Sequence, residues 1–100
     1  MTSYVKHVIK SFKDRGTENL FNGIKAIGLP EDIQRAAMRK LKLLHNAVNL
    51  QDVRVPPGNR FEALKGNRDG QHGIRVNDRW RIRFVWRGGD AFFVEIVDYH

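Results

Sequence analysis

The sequence contains no cysteine and no long hydrophobic run. Without a thiol, the chain has no disulfide framework, no zinc site built from thiolates, no iron–sulfur cluster and no cysteine nucleophile. This composition is compatible with a reducing cytoplasm, which is the location that we expect. No apolar stretch approaches the roughly 18–20 residues of a membrane-spanning helix. Residues 1–8 show no secretory hydrophobic segment, so we expect no membrane association.

The residues that are present indicate one small folded domain. The chain has 100 residues, which is the size of a single domain, and we expect that domain to span residues 1–100. Hydrophobic residues make up 41% of the chain and aromatic residues 10%. This is enough for one modest core and is not the composition of a disordered chain.

Positive charge is in excess and is unevenly distributed. Eighteen lysines and arginines against eleven acidic residues give a net charge of +7. The stretch from Arg60 to Arg87 holds eight basic and three acidic residues, and therefore carries five of the seven net charges. A soluble basic surface is one interpretation. Association with a polyanion is the other, and the concentration of charge in one stretch favours it.

The N-terminal half predicts one strand and two helices. Residues 5–12 alternate weakly and predict a first strand. Asp14 or Thr17 is a suitable N-cap for a short helix that Gly28 ends. The apolar positions of this helix are Leu20, Phe21 and Ile24. Pro30 suits the first position of a second helix, whose apolar positions repeat at helical spacing and are Ile33, Ala37, Leu41, Leu44 and Val48.

After a turn cluster at residues 56–59, the hydrophobic period changes from helical to alternating. Residues 61–64 predict a short strand, residues 66–70 a charged turn, and residues 74–76 a further strand. The next strand has one apolar face, formed by Trp80, Ile82, Phe84 and Trp86. Residues 88–90 turn the chain into a last strand with Phe92, Val94 and Ile96. Helices followed by consecutive strands predict an α+β domain, with two N-terminal helices packed on one face of a mostly antiparallel sheet.

The length of the loop after residue 76 is predicted by matching the polarity of the side chains that pair across the hairpin. A two-residue loop of Asn77 and Asp78 places Ile74 opposite Arg81, which puts an apolar residue and a charge on one face. A three-residue loop gives pairs of matching polarity: Val76 with Trp80, Ile74 with Ile82, and Arg75 with Arg81. We therefore predict the three-residue loop. One sheet face is then the core, and the other presents Arg75, Arg81 and Arg83 together.

Three arginines side by side destabilise a sheet unless something compensates their charge. In one interpretation they extend into water or form ion pairs with acidic residues, namely Glu62, Glu95 or Asp98. In the other interpretation they bind phosphate, and the ligand supplies the missing negative charge. We favour the second interpretation.

Specific stretches of the chain resemble a known family. They are Asn77-Asp78-Arg79-Trp80-Arg81 within residues 60–82, and Asp98-Tyr99-His100 at the end of residues 94–100. Residues 9–12 and 56–60 share the likeness. With these motifs the chain resembles the HigB-type toxins of the RelE superfamily from about residue 8 onward. Residues 1–7 look like a flexible extension beyond the usual start.

The resemblance implies a RelE-like fold and the toxin of a bacterial type II toxin–antitoxin pair. Members of the family are endoribonucleases that cut mRNA on the translating ribosome and thereby inhibit translation. The implied partners are the ribosome with its mRNA and a small, HigA-like helix-turn-helix antitoxin, which neutralises the toxin and represses the shared operon. Contact with DNA is then expected only through the antitoxin complex. No cofactor is implied.

Metal-independent RNA cleavage needs groups that deprotonate the 2′-hydroxyl, hold the phosphate, stabilise its developing charge and protonate the leaving oxygen. The resemblance places Arg81 on the phosphate, and Arg81 lies mid-strand on the face away from the tryptophans. Lys65 and Arg68 flank it from the preceding segment, and Arg75 and Arg83 lie beside it, so we expect all four to bind RNA. A surface salt bridge for Arg81 and a solubilising role for Lys65 and Arg68 are the alternatives.

Two residues fit the general base and the general acid. One branch of the superfamily has a glutamate at the position of Glu62 and others have histidine, so Glu62 is the candidate base, with a structural ion pair as the alternative. His100 is the candidate acid, because imidazole titrates near the working pH; a frayed terminal residue is the alternative. Asp98 can hold charge or orient the general base, and Tyr99 can stack on a nucleobase. If Glu62 is not the base, His100 and Asp98 must share both roles.

His72 is predicted to lie beside Phe84 on the core face, as a partly buried, hydrogen-bonded histidine rather than a catalytic one. The histidines lack the spacing of metal ligands, and no carboxylate cluster accompanies them, so we expect no metal site. Two other functions compete with the enzyme. One is a non-catalytic basic domain that binds RNA or the ribosome, and the other is an interaction module whose basic face docks an acidic partner. The combination of Glu62 and His100 favours the enzyme, because binding alone needs no acid–base pair.

Overall fold

A computed structural model describes residues 8–54, 57–63 and 70–98. Three helices come first, namely α1 (Arg15–Phe21), α2 (Glu31–His45) and α3 (Gln51–Arg54). A 3₁₀ turn (Pro57–Asn59) then leads into four strands, namely β1 (Glu62–Ala63), β2 (Gln71–Arg75), β3 (Trp80–Arg87) and β4 (Asp90–Asp98). The predicted extension at residues 1–7 and most of the predicted turn at residues 66–70 lie outside the described residues.

The four strands form one antiparallel sheet in the order β1–β2–β3–β4. Helices α1 and α2 pack against β4, and α2 also packs against β3. Ile74 lies opposite Ile82, and the backbone N–H of Val76 donates to the carbonyl oxygen of Trp80 at 2.9 Å. The α+β architecture and the three-residue loop at residues 77–79 are therefore confirmed.

The predicted first strand is present as a segment, residues 8–13, that runs along β4. It forms parallel bridges that join Ile9 to Ala91 and Phe12 to Val94. The backbone N–H of Lys10 donates to the carbonyl oxygen of Ala91 at 2.8 Å, and the N–H of Ala91 donates to the carbonyl oxygen of Val8 at 2.7 Å. The segment therefore covers the edge of β4 with backbone hydrogen bonds, which removes an open strand edge.

Helix α1 begins where the sequence predicts and ends earlier. Asp14 is the N-cap, because its Oδ1 accepts from the backbone N–H of Thr17 at 2.7 Å. The helix ends at Phe21 rather than near Gly28, because Gly23 takes a left-handed conformation (φ 82°). The prediction that Ile24 is an apolar helix position is wrong, since it lies beyond the helix and is 55% exposed.

Helix α2 buries the predicted apolar face except at its end. Four of the five predicted positions are buried, namely Ile33, Ala37, Leu41 and Leu44. The fifth, Val48, is 64% exposed, because the helix ends at Asn46 and the chain then turns. The carboxylate of Asp52 accepts from the backbone N–H of Val48 at 2.7 Å and leads the chain into α3, which the sequence did not predict. No helix within the described ranges has the length and apolarity to cross a bilayer.

The core lies between the helices and one face of the sheet. Its sheet side is formed by buried residues of β2, β3 and β4, namely Ile74, Ile82, Phe84, Ala91 and Val94. The pairing of β3 with β4 shifts between Arg83 and Val85, and Phe93 takes a positive φ of 54°. This β-bulge changes the alternation of β4, so that Ala91 rather than the predicted Phe92 is fully buried.

Candidate functional site

The face of the sheet that points away from the helices, here called the outer face, carries the arginines of β2 and β3. Arg75 lies directly opposite Arg81, and Arg83 lies two residues further along β3. Since directly opposed residues of an antiparallel pair share a face, all three arginines belong to the outer face. Each of them is partly buried, so their aliphatic stems pack on the sheet while the guanidinium groups reach its surface.

The hairpin loop fixes two of these arginines, Arg75 and Arg81. Together with the loop residues Asn77 and Asp78 they form one end of the outer face, here called the turn end. The side-chain oxygen of Asn77 accepts from the backbone N–H of Trp80 at 2.8 Å and closes the loop. Nη1 of Arg81 donates to the carbonyl oxygens of Asn77 and Trp80. Nη2 of Arg75 donates to Oδ1 of Asp78 at 2.6 Å. The loop therefore holds both guanidinium groups in place.

Asp78 is surrounded by positive charge. The hydrogen bond from Arg75 and the charge of Arg75 lower the pKa of Asp78, and the charges of Arg60 and Arg81 lower it further. Its carboxylate is exposed to solvent. One carboxylate thus faces three cations, which leaves the turn end with an excess of positive charge that a phosphate would balance.

Asp98, one of the acidic residues considered as partners of the arginines, binds Arg79 of the hairpin loop. Asp98 receives two hydrogen bonds from Nε of Arg79, each at 3.0 Å, and one from Nη2 at 2.8 Å. This bidentate pair raises the pKa of Arg79. Asp98 lies opposite Trp80 at the end of β4, and its strand position therefore belongs to the face of the tryptophan.

Glu62 lies on the two-residue strand β1, opposite Gly73, and is exposed. Gly73 in turn lies opposite Arg83, so Glu62 and Arg83 occupy one row of the outer face with a glycine between them. Because Gly73 has no side chain, the surface between the carboxylate and the guanidinium is open. The other predicted site residues, namely Lys65, Arg68, Tyr99 and His100, lie outside the described residues.

His72 lies on the core face beside Phe84, as predicted, with ring centroids 5.8 Å apart. Its ring also stacks on Phe61 at 5.1 Å. Burial lowers the pKa of His72, and the charge of Arg54 lowers it further, so the neutral imidazole is favoured. The predicted hydrogen bond is absent at Nδ1, which is buried and has no partner among the described residues.

A second region of the outer face was not predicted from the sequence. Near the β-bulge, a cleft of about 160 Å³ is lined by seven residues, namely Lys13, Gln71, Arg83, Phe84, Val85, Phe93 and Glu95. Phe93 is 57% exposed at this cleft. The signal for it was the pair Phe92-Phe93, because two adjacent aromatic residues of a regular strand cannot both face the core. Within the described ranges, no three acidic or histidine side chains gather into a metal-binding group.

A family model for HigB-like toxins matches residues 10–100, and its description is "RelE-like toxin of type II toxin-antitoxin system HigB". The chain belongs to this family. The resemblance stated from the motifs is therefore confirmed. The matched range contains the whole outer face, including the turn end and the cleft near the β-bulge. As a HigB-like toxin, the chain is expected to have a cognate antitoxin.

Two relatives with names of this family support the assignment. The chain is 44% identical to Toxin HigB-1 of Vibrio cholerae over 81 residues, which cover 80% of this chain and 85% of the relative. It is 34% identical to Endoribonuclease HigB of Proteus vulgaris over 94 residues, which cover 93% of this chain and all of the relative. The similarity thus extends over most of each protein.

Proposed function

We propose that this chain is an endoribonuclease that cleaves mRNA on the translating ribosome and so inhibits translation in the bacterial cytoplasm. Its membership of the HigB-like toxins supports this function, as does its similarity to a relative named as an endoribonuclease. The observation that carries the proposal is the turn end of the outer face. There, hydrogen bonds to the hairpin loop hold Arg75 and Arg81.

Fixed guanidinium groups suit the chemistry of RNA cleavage. Charge develops on the scissile phosphate in the transition state, and donors that are already in place stabilise it without reorganising. Arg81 is the group that we assign to this phosphate. The remaining cations, Arg75, Arg83, Lys65 and Arg68, bind the neighbouring phosphates and hold the strand along the outer face.

The reaction that we propose is attack by the 2′-hydroxyl on the adjacent phosphorus, without a metal ion. Glu62 takes the proton of the 2′-hydroxyl, and the bond from the 2′-oxygen to phosphorus forms. The bond from phosphorus to the 5′-oxygen breaks, and His100 gives that oxygen a proton. Asp98 holds charge or orients the general base, and Tyr99 stacks on a nucleobase. The products are a 2′,3′-cyclic phosphate and a 5′-hydroxyl, and DNA is not cut because it lacks the nucleophile.

In this proposal the ribosome aligns the mRNA with the catalytic residues, because the chain holds some of them only weakly. On the described part of the outer face, Glu62 lies exposed on a strand of only two residues, which holds it less firmly than the loop holds Arg81. Correct placement of the reacting groups contributes several orders of magnitude to a rate. We therefore assign to the ribosome the task of holding the mRNA in line with these residues. The antitoxin that neutralises the chain is a HigA-like helix-turn-helix protein.

The proposal is tested by comparing free RNA with the same message bound in the ribosomal A site. We expect the purified chain to leave free RNA largely uncut, to cut the ribosome-bound message, and to produce 2′,3′-cyclic phosphate ends. A message with one 2′-deoxy nucleotide at the scissile position is the matched control and should stay intact. Fast cutting of free RNA would contradict the ribosome dependence, since it would mark a self-sufficient nuclease.

The same assay separates an enzyme from a non-catalytic RNA-binding domain. We expect deletion of His100 to lower the cleavage rate about 10²–10⁴-fold, which is the usual contribution of a general acid. Ribosome binding and the melting temperature should stay close to those of the wild type. Near-normal cleavage by the shortened chain would show that another group is the acid. Binding without cleavage by the wild type would show that the chain is a binding domain only.

A further inference from the structure

The cleft beside the β-bulge combines an exposed aromatic ring with a cation that forms no ion pair among the described residues. Phe93 is 57% exposed, although an aromatic side chain of a small domain is normally buried in its core. Its φ of 54° lies in the left-handed region, which is strained for a phenylalanine. The backbone N–H of Phe93 donates to Oγ of Ser11 at 2.9 Å, which fixes the bulge against the N-terminal segment. Strain of this kind tends to occur where function requires a particular geometry.

Two cations line this cleft, Lys13 and Arg83, and Arg83 is the one that projects from the sheet beside Phe93. It lies directly opposite Glu95 in the sheet, but the carboxylate of Glu95 accepts instead from Nζ of Lys13 at 3.4 Å. Within the described ranges, Arg83 therefore has no ion pair, and its guanidinium remains available to an anion at the cleft. Lys13, Arg83 and Glu95 together carry one net positive charge, so the cleft as a whole still favours an anion.

The size of the cleft limits what it can hold. A cavity of roughly 150 Å³ admits one six-membered aromatic ring, whereas sites for larger ligands usually measure about 300–1,000 Å³. The cleft, at about 160 Å³, thus has room for the six-membered ring of one nucleobase, with the five-membered ring of a purine left outside, and not for a cofactor or a helix of a partner protein. A ring that enters it meets the exposed face of Phe93 and lies close to Arg83.

We propose that this cleft, with Phe93 and Arg83, is a subsite for one nucleotide of the RNA, whose base stacks on Phe93 while its phosphate binds Arg83. An aromatic platform next to a cation is the arrangement with which proteins bind single-stranded nucleic acid. The subsite is continuous with the turn end, since Arg83 is two residues from Arg81 on β3. Because strand residues rise about 3.3 Å each, the bulge lies roughly 13 Å along β4 from the residue opposite Arg81. The subsite therefore contacts a nucleotide a short distance from the scissile phosphate.

This inference rests on the proposed function, because it assigns a second contact to the same RNA strand. The test uses a message in which all 2′-hydroxyls near the cleavage site are O-methylated, so that it cannot be cut. In a series of such messages, one base at a time is replaced by 2-aminopurine, whose fluorescence falls when it stacks. Each message is measured free and bound in the ribosomal A site, with the full-length chain.

We expect wild-type protein to quench 2-aminopurine at one position. Phe93→Asn should abolish that quenching and weaken binding roughly 5- to 150-fold, which corresponds to the loss of one stacked base. Asparagine tolerates a positive φ, so the fold and melting temperature should be unchanged. Phe93→Trp should retain the quenching. Ile27→Asn is the matched control, because Ile27 is fully exposed on the loop between α1 and α2 and should not contribute to RNA binding.

Cleavage of an unmodified message, measured in parallel, separates failure of the subsite from failure of the proposed function. If the wild type cleaves but no position is quenched, or if Phe93→Asn behaves like the wild type, the subsite is wrong and the nuclease remains. If the wild type neither binds nor cleaves the message, the proposed function is wrong and the subsite falls with it. If Phe93→Asn weakens binding only to the purified antitoxin, the cleft is a protein-docking surface and the proposal is overturned.

Discussion

The two faces of β2 and β3 differ in what their side chains contact. On the core face, Ile74, Ile82 and Phe84 are almost completely buried. On the outer face, Arg75 and Arg81 bond to the hairpin loop, and Arg83 lies at the bulge cleft without an ion pair among the described residues. Alternation along a strand thus separates the residues that stabilise the domain from those that we assign to RNA. Stability and activity should therefore be separable by mutating adjacent residues of one strand.

The largest expected effect on stability comes from the core face. Phe84→Ala should lower the free energy of unfolding by about 3–5 kcal/mol, because it removes a buried ring and leaves a cavity. Denaturant unfolding followed by circular dichroism measures this loss. Since a whole domain is stable by only about 5–15 kcal/mol, the milder Ile82→Val, with an expected loss of about 0.5–1.5 kcal/mol, provides a variant that stays folded.

The neighbouring arginine is the control for this prediction. Arg83→Ala changes the outer face between Ile82 and Phe84 and should alter the unfolding free energy by less than about 0.5 kcal/mol, as is usual for surface substitutions. If Arg83→Ala destabilised the chain as much as Phe84→Ala, the separation of the two faces would not hold.

A smaller effect on stability is expected at His72, the titrating group of the core face. Burial lowers the pKa of His72 in the folded chain below its unfolded value of about 6.5. The unfolded chain therefore binds a proton more readily, so the contribution of neutral His72 is complete above that pH and is lost as the pH falls through the folded pKa. His72→Phe keeps a ring between Phe61 and Phe84 and removes the titration.

Melting temperatures at a series of pH values between 5 and 8 compare the two proteins. We expect the wild type to lose more thermal stability than His72→Phe on acidification. The other three histidines are present in both proteins, so the difference isolates His72. Identical pH profiles would show that protonation of His72 has no thermodynamic cost in the fold.

The sequence predicted the features that depend on local periodicity. The alternation of apolar residues in β3 identified the core face, and matching polarity across the hairpin identified the pairing of Arg75 with Arg81. Asp14 was one of two predicted N-cap candidates, with Thr17, because the side chain of an N-cap bonds within its own turn. Such features are set by residues close in the chain and leave a repeated pattern.

Features that depend on distant contacts were predicted less well. The bulge at Phe93 is fixed by Ser11, which is 82 residues away, and no local pattern shows that bond. The predicted ends of α1 and α2 lay too far along the chain. Ile24 and Val48 continue the apolar spacing of the two helices, but both are exposed because the backbone has already turned. The pairing of Asp98 with Arg79 also joins distant residues, one at the end of β4 and one in the hairpin loop. Side-chain partners of this kind require the fold itself.

The most direct test of the central claim is the single-turnover rate of cleavage of a ribosome-bound message by Arg81→Ala, compared with Arg39→Ala. Arg39 is an exposed arginine of α2, so the two variants lose the same charge from different places. Loss of one transition-state donor should lower the rate of Arg81→Ala about 10²–10³-fold, while Arg39→Ala cleaves like the wild type. Equal rates for the two variants, with both chains folded, would contradict the assignment of the scissile phosphate to the outer face.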